Sequence, residues 1–245
     1  EDGITIIRDY LRSGTIRNVR GILESETRKT DSEHPYPSFD CCHIHDLLVR
    51  YPLLADILLD DPVLDEIIGR LLGSYWIMYA FTSSSIPPNG SNYASRIHVD
   101  SARFAEEYPF NVGVIWALDD YSIESGTLEF APYSHLHESL PSEDEFSRAR
   151  QQVECKAGDL IIFNARLAHR TSSNHTDRWR HSMTLNACRS FMKQRLDWVR
   201  FLGDRQVDGF SDRVKRIVGW DTRIPTNMSE FFGEAGERLY KPGQG

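Results

Sequence analysis

The feature that most constrains this chain is an imidazole and a carboxylate two residues apart in a short β-like segment, His98-Val99-Asp100. Alternate side chains of an extended segment point to the same side, so both groups can bind one metal ion. Two histidines and one carboxylate on one face of an octahedral ion leave three positions open, as in non-haem Fe(II) sites. His169 is the candidate third ligand, because it follows a predicted strand-turn unit at residues 158–163 that would place it near the first pair.

Two other clusters of histidines are weaker candidates for a metal site. The pair at residues 135–137 lies where a predicted strand runs out into a loop, a position that favours a surface or supporting role. The group at residues 41–45 combines two cysteines with two histidines, but no second ligand pair occurs at the spacing of a zinc finger. We interpret His34, His175 and His181 as ordinary polar residues or as residues that support the site without binding the metal.

Composition narrows the class of protein. With 245 residues, of which 40% are hydrophobic, the chain can bury one sizeable core. A net charge of −8 argues against nucleic acid or an anionic membrane as a partner. No apolar run approaches the roughly 20 residues that span a bilayer, and the acidic start Glu1-Asp2 is unlike a basic signal peptide. Four scattered cysteines favour reduced thiols. We therefore expect a single-domain, cytoplasmic protein whose partner is a small-molecule substrate.

Short segments with β-branched and aromatic residues, separated by turn residues, dominate the middle of the chain. Many short strands at this spacing are typical of a jelly roll. We therefore predict a fold that is mainly β with flanking helices, built on a double-stranded β-helix (jelly-roll, cupin-like) core at about residues 75–190. The predicted strands are residues 3–8, 75–81, 96–100, 111–118, 126–131, 153–155, 160–163, 168–171 and 180–189.

A helical buttress is expected before this core, at about residues 40–73. Asp61 is a typical N-cap, Pro62 fits the first helical turn and Gly73 ends the apolar stripe between them. Residues 47–59 are apolar at helical spacing with a proline near the middle, which predicts two short helices or one kinked helix.

Three further segments complete the prediction. Residues 24–40 are polar and contain two prolines, which indicates a loop, and the acidic residues 139–150 are compatible with a helical insertion. A helical C-terminal part is expected at about residues 191–245, with helices at 191–202 and 211–218. These C-terminal helices are the candidate interface of a homodimer.

Several motifs occur in a fixed order along most of the chain. They are Glu1-Asp2-Gly3-Ile4, His98-Val99-Asp100, Val114-Ile115-Trp116-Ala117-Leu118-Asp119-Asp120, Ser125-Gly126-Thr127-Leu128-Glu129-Phe130-Ala131-Pro132-Tyr133-Ser134-His135, Ala157-Gly158-Asp159, and the later His169, Asn174 and Arg180. Together they resemble the phytanoyl-CoA dioxygenase-like family of Fe(II)/2-oxoglutarate-dependent oxygenases. One departure is Tyr133, where the family usually has glycine in a Pro-Gly-Ser-His turn.

The resemblance implies a role for each matching residue. His98, Asp100 and His169 would bind iron, and Arg180 would bind the distal carboxylate of 2-oxoglutarate. A guanidinium offers a carboxylate two parallel N–H donors, which lysine cannot copy. Arg178 is a nearby rival for this role, and either arginine alone can also be a solvated strand residue.

Four more residues are candidate contacts of the co-substrate. Ser182 lies on the same strand face as Arg180, two residues on, where it can donate to the same carboxylate. Trp116, Thr127 and Ser95 resemble positions that line the co-substrate in the family. Ordinary core or strand packing is the alternative for these three.

The carboxylate of Asp100 bears on the reaction, because halogenases of this superfamily lack it. The resemblance therefore implies an oxygenase that uses Fe(II), 2-oxoglutarate and O2, releases succinate and CO2, and oxidises a C–H bond, most often by hydroxylation. Five aromatic residues favour a hydrophobic small molecule, such as a secondary metabolite, as the substrate, with packing in the core as the alternative: Tyr79, Phe81, Tyr93, Phe104 and Tyr108. Two alternatives stay open: a cupin-type isomerase or hydrolase that uses a metal without 2-oxoglutarate, and a non-catalytic jelly-roll binding module.

Overall fold

A computed structural model of the chain describes residues 2–29, 40–234 and 238–239. Three parts of the prediction lie outside the described residues: His34, most of the predicted loop at 24–40, and the last residues of the chain. The described strands form two sheets, one of five strands in the order β1-β6-β3-β8-β2 and one of three in the order β5-β4-β7. The strands are β1 (Ile4–Ile7), β2 (Ile77–Ser83), β3 (Asn111–Ala117), β4 (Leu128–Phe130), β5 (Gln151–Val153), β6 (Leu160–Asn164), β7 (His169–Thr171) and β8 (Ser182–Cys188).

Strand β6 organises the larger sheet, because both of its neighbours pair with it in antiparallel register. Phe163 lies opposite Ile4 of β1 on one side and opposite Gly113 of β3 on the other. A β-carbon at Gly113 would overlap the Phe163 ring, so only glycine leaves room for this ring to lie across the neighbouring strand.

One face of the larger sheet, here called the inner face, packs against the three-stranded sheet. Its side chains belong to a buried apolar cluster that draws on both sheets, as expected when two sheets share one core. The cluster contains Ile115, Ala117, Tyr121, Leu128, Phe130, Val153, Cys155, Ile161, Phe163 and Leu167. Since side chains alternate along a strand, the residues between these on β3 and β6 belong to the opposite, outer face.

The predicted fold class is confirmed, and each predicted strand except one corresponds to an observed strand. The exception is residues 96–100, which contain a single β-bridge, from His98 to His169. The reason is a contact with a distant part of the chain: the amides of Asp100 and the next residue, Ser101, both turn to the carbonyl oxygen of Ala165, at 2.8 and 3.0 Å, so the ladder cannot continue. The structure also adds β1 to the sheet of the predicted core, which we had begun at residue 75.

The helices match the prediction less closely than the strands do. Residues 47–59 form two short helical pieces, as expected, and the Asp61 carboxylate caps the next helix by accepting from the amides of Val63 and Leu64. The described helices are α1 (Ser13–Thr27), α2 (Leu47–Arg50), a π-helical turn (Ala55–Leu59), α3 (Pro62–Leu72), α4 (Glu143–Ala149), α5 (Trp198–Leu202), α6 (Asp204–Asp208), α7 (Asp212–Val218) and α8 (Met228–Phe231).

Two helix predictions were wrong. Residues 24–27, assigned to a loop, are the last turn of α1, whose buried Val19 and Leu23 show the helical spacing that was overlooked. Residues 191–197, assigned to a helix, are not helical, and α5 begins only at Trp198. In this segment the backbone amide of Arg195 and the side-chain amide of Gln194 donate to the carbonyl oxygens of residues 79 and 78, at 3.0 and 2.6 Å, which holds it out of a helix.

Two compact units can be distinguished. The first contains residues Glu1–His45 and Phe81–Asn186, and the second contains Asp46–Ala80 and Ala187–Gly245. Both sheets belong largely to the first unit, and helices α2, α3 and α5 to α8 belong to the second. The prediction of a single domain stays a prediction. Within the described ranges, every helix is too short or too polar to cross a bilayer.

Candidate active site

His98, Asp100 and His169 converge at one point of the first unit. His98 and His169 exchange two backbone hydrogen bonds of 3.0 Å, which place their rings side by side with centroids 4.2 Å apart. Asp100 Oδ1 lies 3.7 Å from His98 Nε2. One ligand atom from each of the three residues lies within 4.8 Å of the other two, so a single ion can contact all three.

Both imidazoles are held in one tautomer. His98 Nδ1 lies 2.8 Å from the carbonyl oxygen of Arg96, and His169 Nδ1 lies 2.9 Å from that of Leu167. A carbonyl oxygen can only accept, so each Nδ1 must carry a hydrogen, and Nε2 is the ring nitrogen left to bind an ion. Metal-binding histidines usually have this kind of second hydrogen bond, which fixes the ring and leaves the other nitrogen for the ion.

The protonation state of His169 also suits a metal. Burial lowers the pKa of His169 below its usual value; the Asp100 carboxylate raises it and His98 lowers it further. A neutral imidazole is the form that binds metal. His98 and Asp100 are about 30% exposed, so the convergence point is open on the side away from His169. Two imidazole nitrogens and one carboxylate oxygen are a donor set that fits Fe(II).

The His169 ring is supported from the inner face of the larger sheet. Phe163 packs edge-on against it, with ring centroids 4.9 Å apart. Because the Phe163 ring occupies the space over Gly113, this glycine also helps to set the position of His169. Sequence reasoning missed both residues, although a glycine inside a β-branched strand was a signal of close approach.

Arg180 is buried next to β8 without a counter-charge among its hydrogen-bond partners. Its side chain is 2% exposed, and its Nη1 donates to the hydroxyl oxygens of Tyr121 at 2.6 Å and Ser182 at 3.1 Å. Its Nε has no partner among the described residues. A buried cation without a paired anion is costly, so the geometry favours an anionic ligand at this position.

Tyr121 is a third residue that sequence reasoning missed. The guanidinium carbon of Arg180 lies 4.1 Å from the centre of its ring, a cation–π contact. Burial raises the pKa of Tyr121, with Arg180 opposing the rise, so the phenol is neutral. Tyr121 lies in a turn after β3, where the sequence does not alternate as in a strand. Its isolated bridge to Cys155 brings it to the inner face.

The other predicted contacts of the co-substrate lie in varied surroundings. Ser182 donates its hydroxyl hydrogen to the carbonyl oxygen of Ser84 at 2.6 Å, so in this arrangement it orients Arg180. Trp116 is on the outer face, edge-on to Phe81. Thr127 is buried, and its hydroxyl donates to the carbonyl oxygen of Val153. Ser95 is half-buried in a 3₁₀ turn.

The rival clusters are less suited to a metal. Asp40, Cys41 and Cys42 also bring three ligand atoms within 4.8 Å. Burial, with help from Asp40, raises the pKa of Cys42, which keeps it a thiol rather than the thiolate that binds metal. His135 is packed against Gly3, away from any group of three ligands found in the described part of the chain.

Comparison with models of known protein families shows which family the chain belongs to. A family model for phytanoyl-CoA dioxygenase matches residues 3–182. The chain belongs to this family. Membership in the phytanoyl-CoA dioxygenase family confirms the predicted enzyme class, an Fe(II)/2-oxoglutarate-dependent dioxygenase, and the predicted iron and 2-oxoglutarate.

Two relatives of this family member come from a bacterium and a fungus. An uncharacterised protein of Mycobacterium tuberculosis is 29% identical over 204 residues, which cover 81% of this chain and 75% of the relative. The dioxygenase CnsJ of Penicillium expansum is 26% identical over 246 residues, which cover 89% of this chain and 73% of the relative.

Two solved structures show that the fold is shared. The epimerase SnoN, solved in complex with Fe3+, alpha ketoglutarate and nogalamycin RO, is 19% identical with a TM-score of 0.63, over 83% of this chain and 85% of SnoN. EvdMO1 is 24% identical with a TM-score of 0.61, over 77% of this chain and 47% of EvdMO1. This chain therefore spans about half the length of EvdMO1. Identities this low support the fold alone.

Proposed function

We propose that this protein is an Fe(II)- and 2-oxoglutarate-dependent oxygenase that oxidises a C–H bond of a small molecule and releases succinate and CO2. The observation that carries the proposal is the convergence of His98, Asp100 and His169, with both Nδ1 hydrogens bonded to carbonyl oxygens. This leaves the two Nε2 atoms and a carboxylate as the groups that can bind one ion. When bound, iron with 2-oxoglutarate and O2 supplies the oxidising chemistry.

The residues of the chain have three tasks in this reaction. His98, Asp100 and His169 hold the iron. Arg180 binds the distal carboxylate of 2-oxoglutarate through its unpaired N–H groups, and Tyr121 with Ser182 fixes the guanidinium in place. The buried position of Arg180 excludes water from this ion pair, which strengthens it.

The finer parts of the prediction also remain proposals. Hydroxylation of a secondary metabolite is the proposed outcome, although the SnoN neighbour is named an epimerase, so the family fold serves more than one reaction. Contacts of Trp116, Thr127 and Ser95 with the co-substrate, a homodimer and a cytoplasmic location stay predictions. The cupin-type isomerase or hydrolase and the binding module differ from the proposal in not needing 2-oxoglutarate.

The test is to add Fe(II) and 2-oxoglutarate to the protein without oxygen and to record the visible spectrum. A weak charge-transfer band is expected, because 2-oxoglutarate would bind the iron directly. Substitution of His98, Asp100 or His169 by alanine should remove the band. His175→Ala is the matched control, since His175 is exposed in a turn and should leave the band unchanged.

Absence of the band from folded protein with iron bound would rule the proposal out. Turnover that does not depend on 2-oxoglutarate would favour the isomerase or hydrolase. Retention of ligand binding after loss of all three metal-binding residues would favour a binding module.

A further inference from the structure

The segment from Arg180, just before β8, to Asn186 is polar on its inner face. Its alternating residues Arg180, Ser182, Thr184 and Asn186 are here called the polar strip. Arg180 and Ser182 are bonded to each other, and Arg180 contacts Tyr121 of the inner cluster, which fixes the strip on the inner face. The second half of the strip, Thr184 and Asn186, is half-buried and plays no part in the proposed binding of 2-oxoglutarate.

The strip ends in a pair of asparagines that the proposed reaction does not use. Asn111 Nδ2 donates to Asn186 Oδ1 at 2.8 Å. Asn111 is 2% exposed, and its Oδ1 is buried without a hydrogen-bond partner in the described part of the chain. Buried amide oxygens are normally bonded, so an unpartnered one needs an explanation.

The pair lies close to the metal-binding residues. The Asn111 carbonyl oxygen accepts from the amide of Ala165 at 3.3 Å, and the Ala165 carbonyl oxygen accepts from the amide of Asp100 at 2.8 Å. Two residues along β3, Gly113 is covered by the Phe163 ring, which packs on the third ligand, His169. Asn111 is thus connected to both metal-binding segments.

The pair is too far from Arg180 to belong to the co-substrate site. Asn186 is six residues from Arg180, about 20 Å along an extended strand, which is beyond the reach of a five-carbon diacid. Arg180 and the asparagines therefore lie at opposite ends of the strip. The end with the asparagines is the part of the inner face left for the substrate.

The chemistry of the pair favours a group that can both donate and accept a hydrogen bond. Two carboxamides joined by one hydrogen bond leave one carbonyl oxygen and one amino group free. A hydroxyl group donates to the first and accepts from the second, whereas an ammonium only donates and an ether only accepts. We propose that Asn111 and Asn186 bind a hydroxyl group of the substrate, which is then an alcohol or polyol. This inference rests on the proposed function and names its substrate class.

A second unpartnered group supports a polar substrate. The Thr82 hydroxyl is buried without a partner among the described residues. It belongs to the strand next to the strip, where Thr184 Oγ1 donates to the Thr82 carbonyl oxygen at 3.2 Å. In contrast, Phe81, one of the aromatic residues that suggested a hydrophobic substrate, packs against Trp116 on the outer face.

The test uses three probes that share one six-membered carbon ring: cyclohexanol, methoxycyclohexane and cyclohexylammonium. The protein is loaded with Mn(II), as a paramagnetic substitute for Fe(II), and with 2-oxoglutarate. Broadening of the probe protons then reports binding near the metal, with Zn(II)-loaded protein as the diamagnetic reference. Titration of the broadening gives a Kd for each probe. Cyclohexanol should bind about tenfold more tightly than either of the others, as one lost hydrogen bond predicts.

Two variants separate recognition from structure. Asn186→Asp keeps the acceptor for Asn111 but replaces the free amino group by an oxygen, so cyclohexylammonium should now bind more tightly than cyclohexanol. Asn111→Leu removes the free acceptor and should abolish the preference for the alcohol, which keeps the test open if Asn186→Asp does not fold. Asn18→Asp on the exposed side of α1 is the matched control and should keep the wild-type order.

Equal Kd values for the alcohol and the ether in the wild-type protein would overturn the proposal. So would an unchanged order of affinities in the folded variants, or the absence of broadening for every probe while Mn(II) is bound. Failure of the wild-type protein to bind Mn(II) at all would instead refute the proposed metal site, and the inference would fail with it.

Discussion

The inner face of the larger sheet has two halves that differ in chemistry. On β3 and β6, Ile115, Ala117, Ile161 and Phe163 are buried in one apolar cluster. On β8, the polar strip carries a buried guanidinium without a counter-charge among its hydrogen-bond partners and ends beside an unpartnered amide oxygen. The apolar half has its contacts satisfied within the chain. The polar half has hydrogen-bonding groups left over, and this is where ligands are expected to bind.

The largest effect on stability is expected in the apolar half, from Phe163→Ala. The ring is buried between Gly113 and His169, and a Phe→Ala change in such a site costs about 3–5 kcal/mol in the free energy of unfolding. Urea unfolding of the protein without metal measures this cost. If it stayed below about 1 kcal/mol, the ring would not be part of a packed core.

In the polar half, a substitution should change the affinity for a ligand rather than the free energy of unfolding. Arg180→Ala should weaken 2-oxoglutarate binding by about a hundredfold to a thousandfold, because it removes the partner of a buried carboxylate. The free energy of unfolding of the ligand-free protein should not fall, since the buried cation has only neutral hydrogen-bond partners. Titration of the charge-transfer band with 2-oxoglutarate gives the Kd.

Arg178→Ala is the control for this change, because Arg178 is 88% exposed and lies two residues away. It should leave the Kd for 2-oxoglutarate within about twofold, as expected for a solvated charge. A large loss in Arg178→Ala with none in Arg180→Ala would reverse the assignment of the two arginines.

The contrast between the halves was only partly visible in the sequence. The strands of the apolar half could be predicted because β-branched residues recur there. The strip was also readable, since Arg180, Ser182, Thr184 and Asn186 are polar at every second position, but we used only its first two residues. The meaning of Asn111 depends on a partner 75 residues away, which no local pattern shows.

Predictions that depended on long-range packing were the least successful. Tyr121 lies in a turn after β3, and nothing in its neighbours announces the contact with Arg180, 59 residues on. Residues 96–100 have the composition of a strand, yet the carbonyl oxygen of Ala165 ends the pairing after one bridge. The convergence of His98 with Asp100 survived this error, because it needs an extended backbone rather than a ladder.

An effect of intermediate size is a pH dependence of stability, which is expected from His181, next to β8 on the outer face. Burial lowers the pKa of His181 to about 4; Glu24 raises it, and Arg180 and Arg20 lower it. The unfolded chain takes up a proton near the usual pKa of 6.5, whereas the folded protein does not until about pH 4. Stability should therefore fall as the pH decreases from 6.5 to 4, by on the order of 3 kcal/mol from this residue.

Denaturant titration at a series of pH values measures the slope of the free energy of unfolding against pH. His181→Gln should flatten it, and the exposed His175→Gln should leave it unchanged. A residual slope is expected in His181→Gln, because burial also lowers the pKa of His43 to about 4. Equal slopes in the wild-type protein and His181→Gln would contradict this prediction, because they would show that His181 accepts a proton as readily in the folded protein as in the unfolded chain.

The smallest effect is expected from exchanging valine and threonine, which have the same shape, at one position in the polar half and at one position on β5, which packs against the apolar half. Thr184→Val in the polar strip loses one hydrogen bond but gains a methyl group at a half-buried position, so the free energy of unfolding should change by less than about 1 kcal/mol. Val153→Thr in the apolar cluster buries a hydroxyl among apolar side chains and should cost about 1–3 kcal/mol. Comparable costs at the two sites would mean that the polar strip and the apolar cluster do not differ in chemistry.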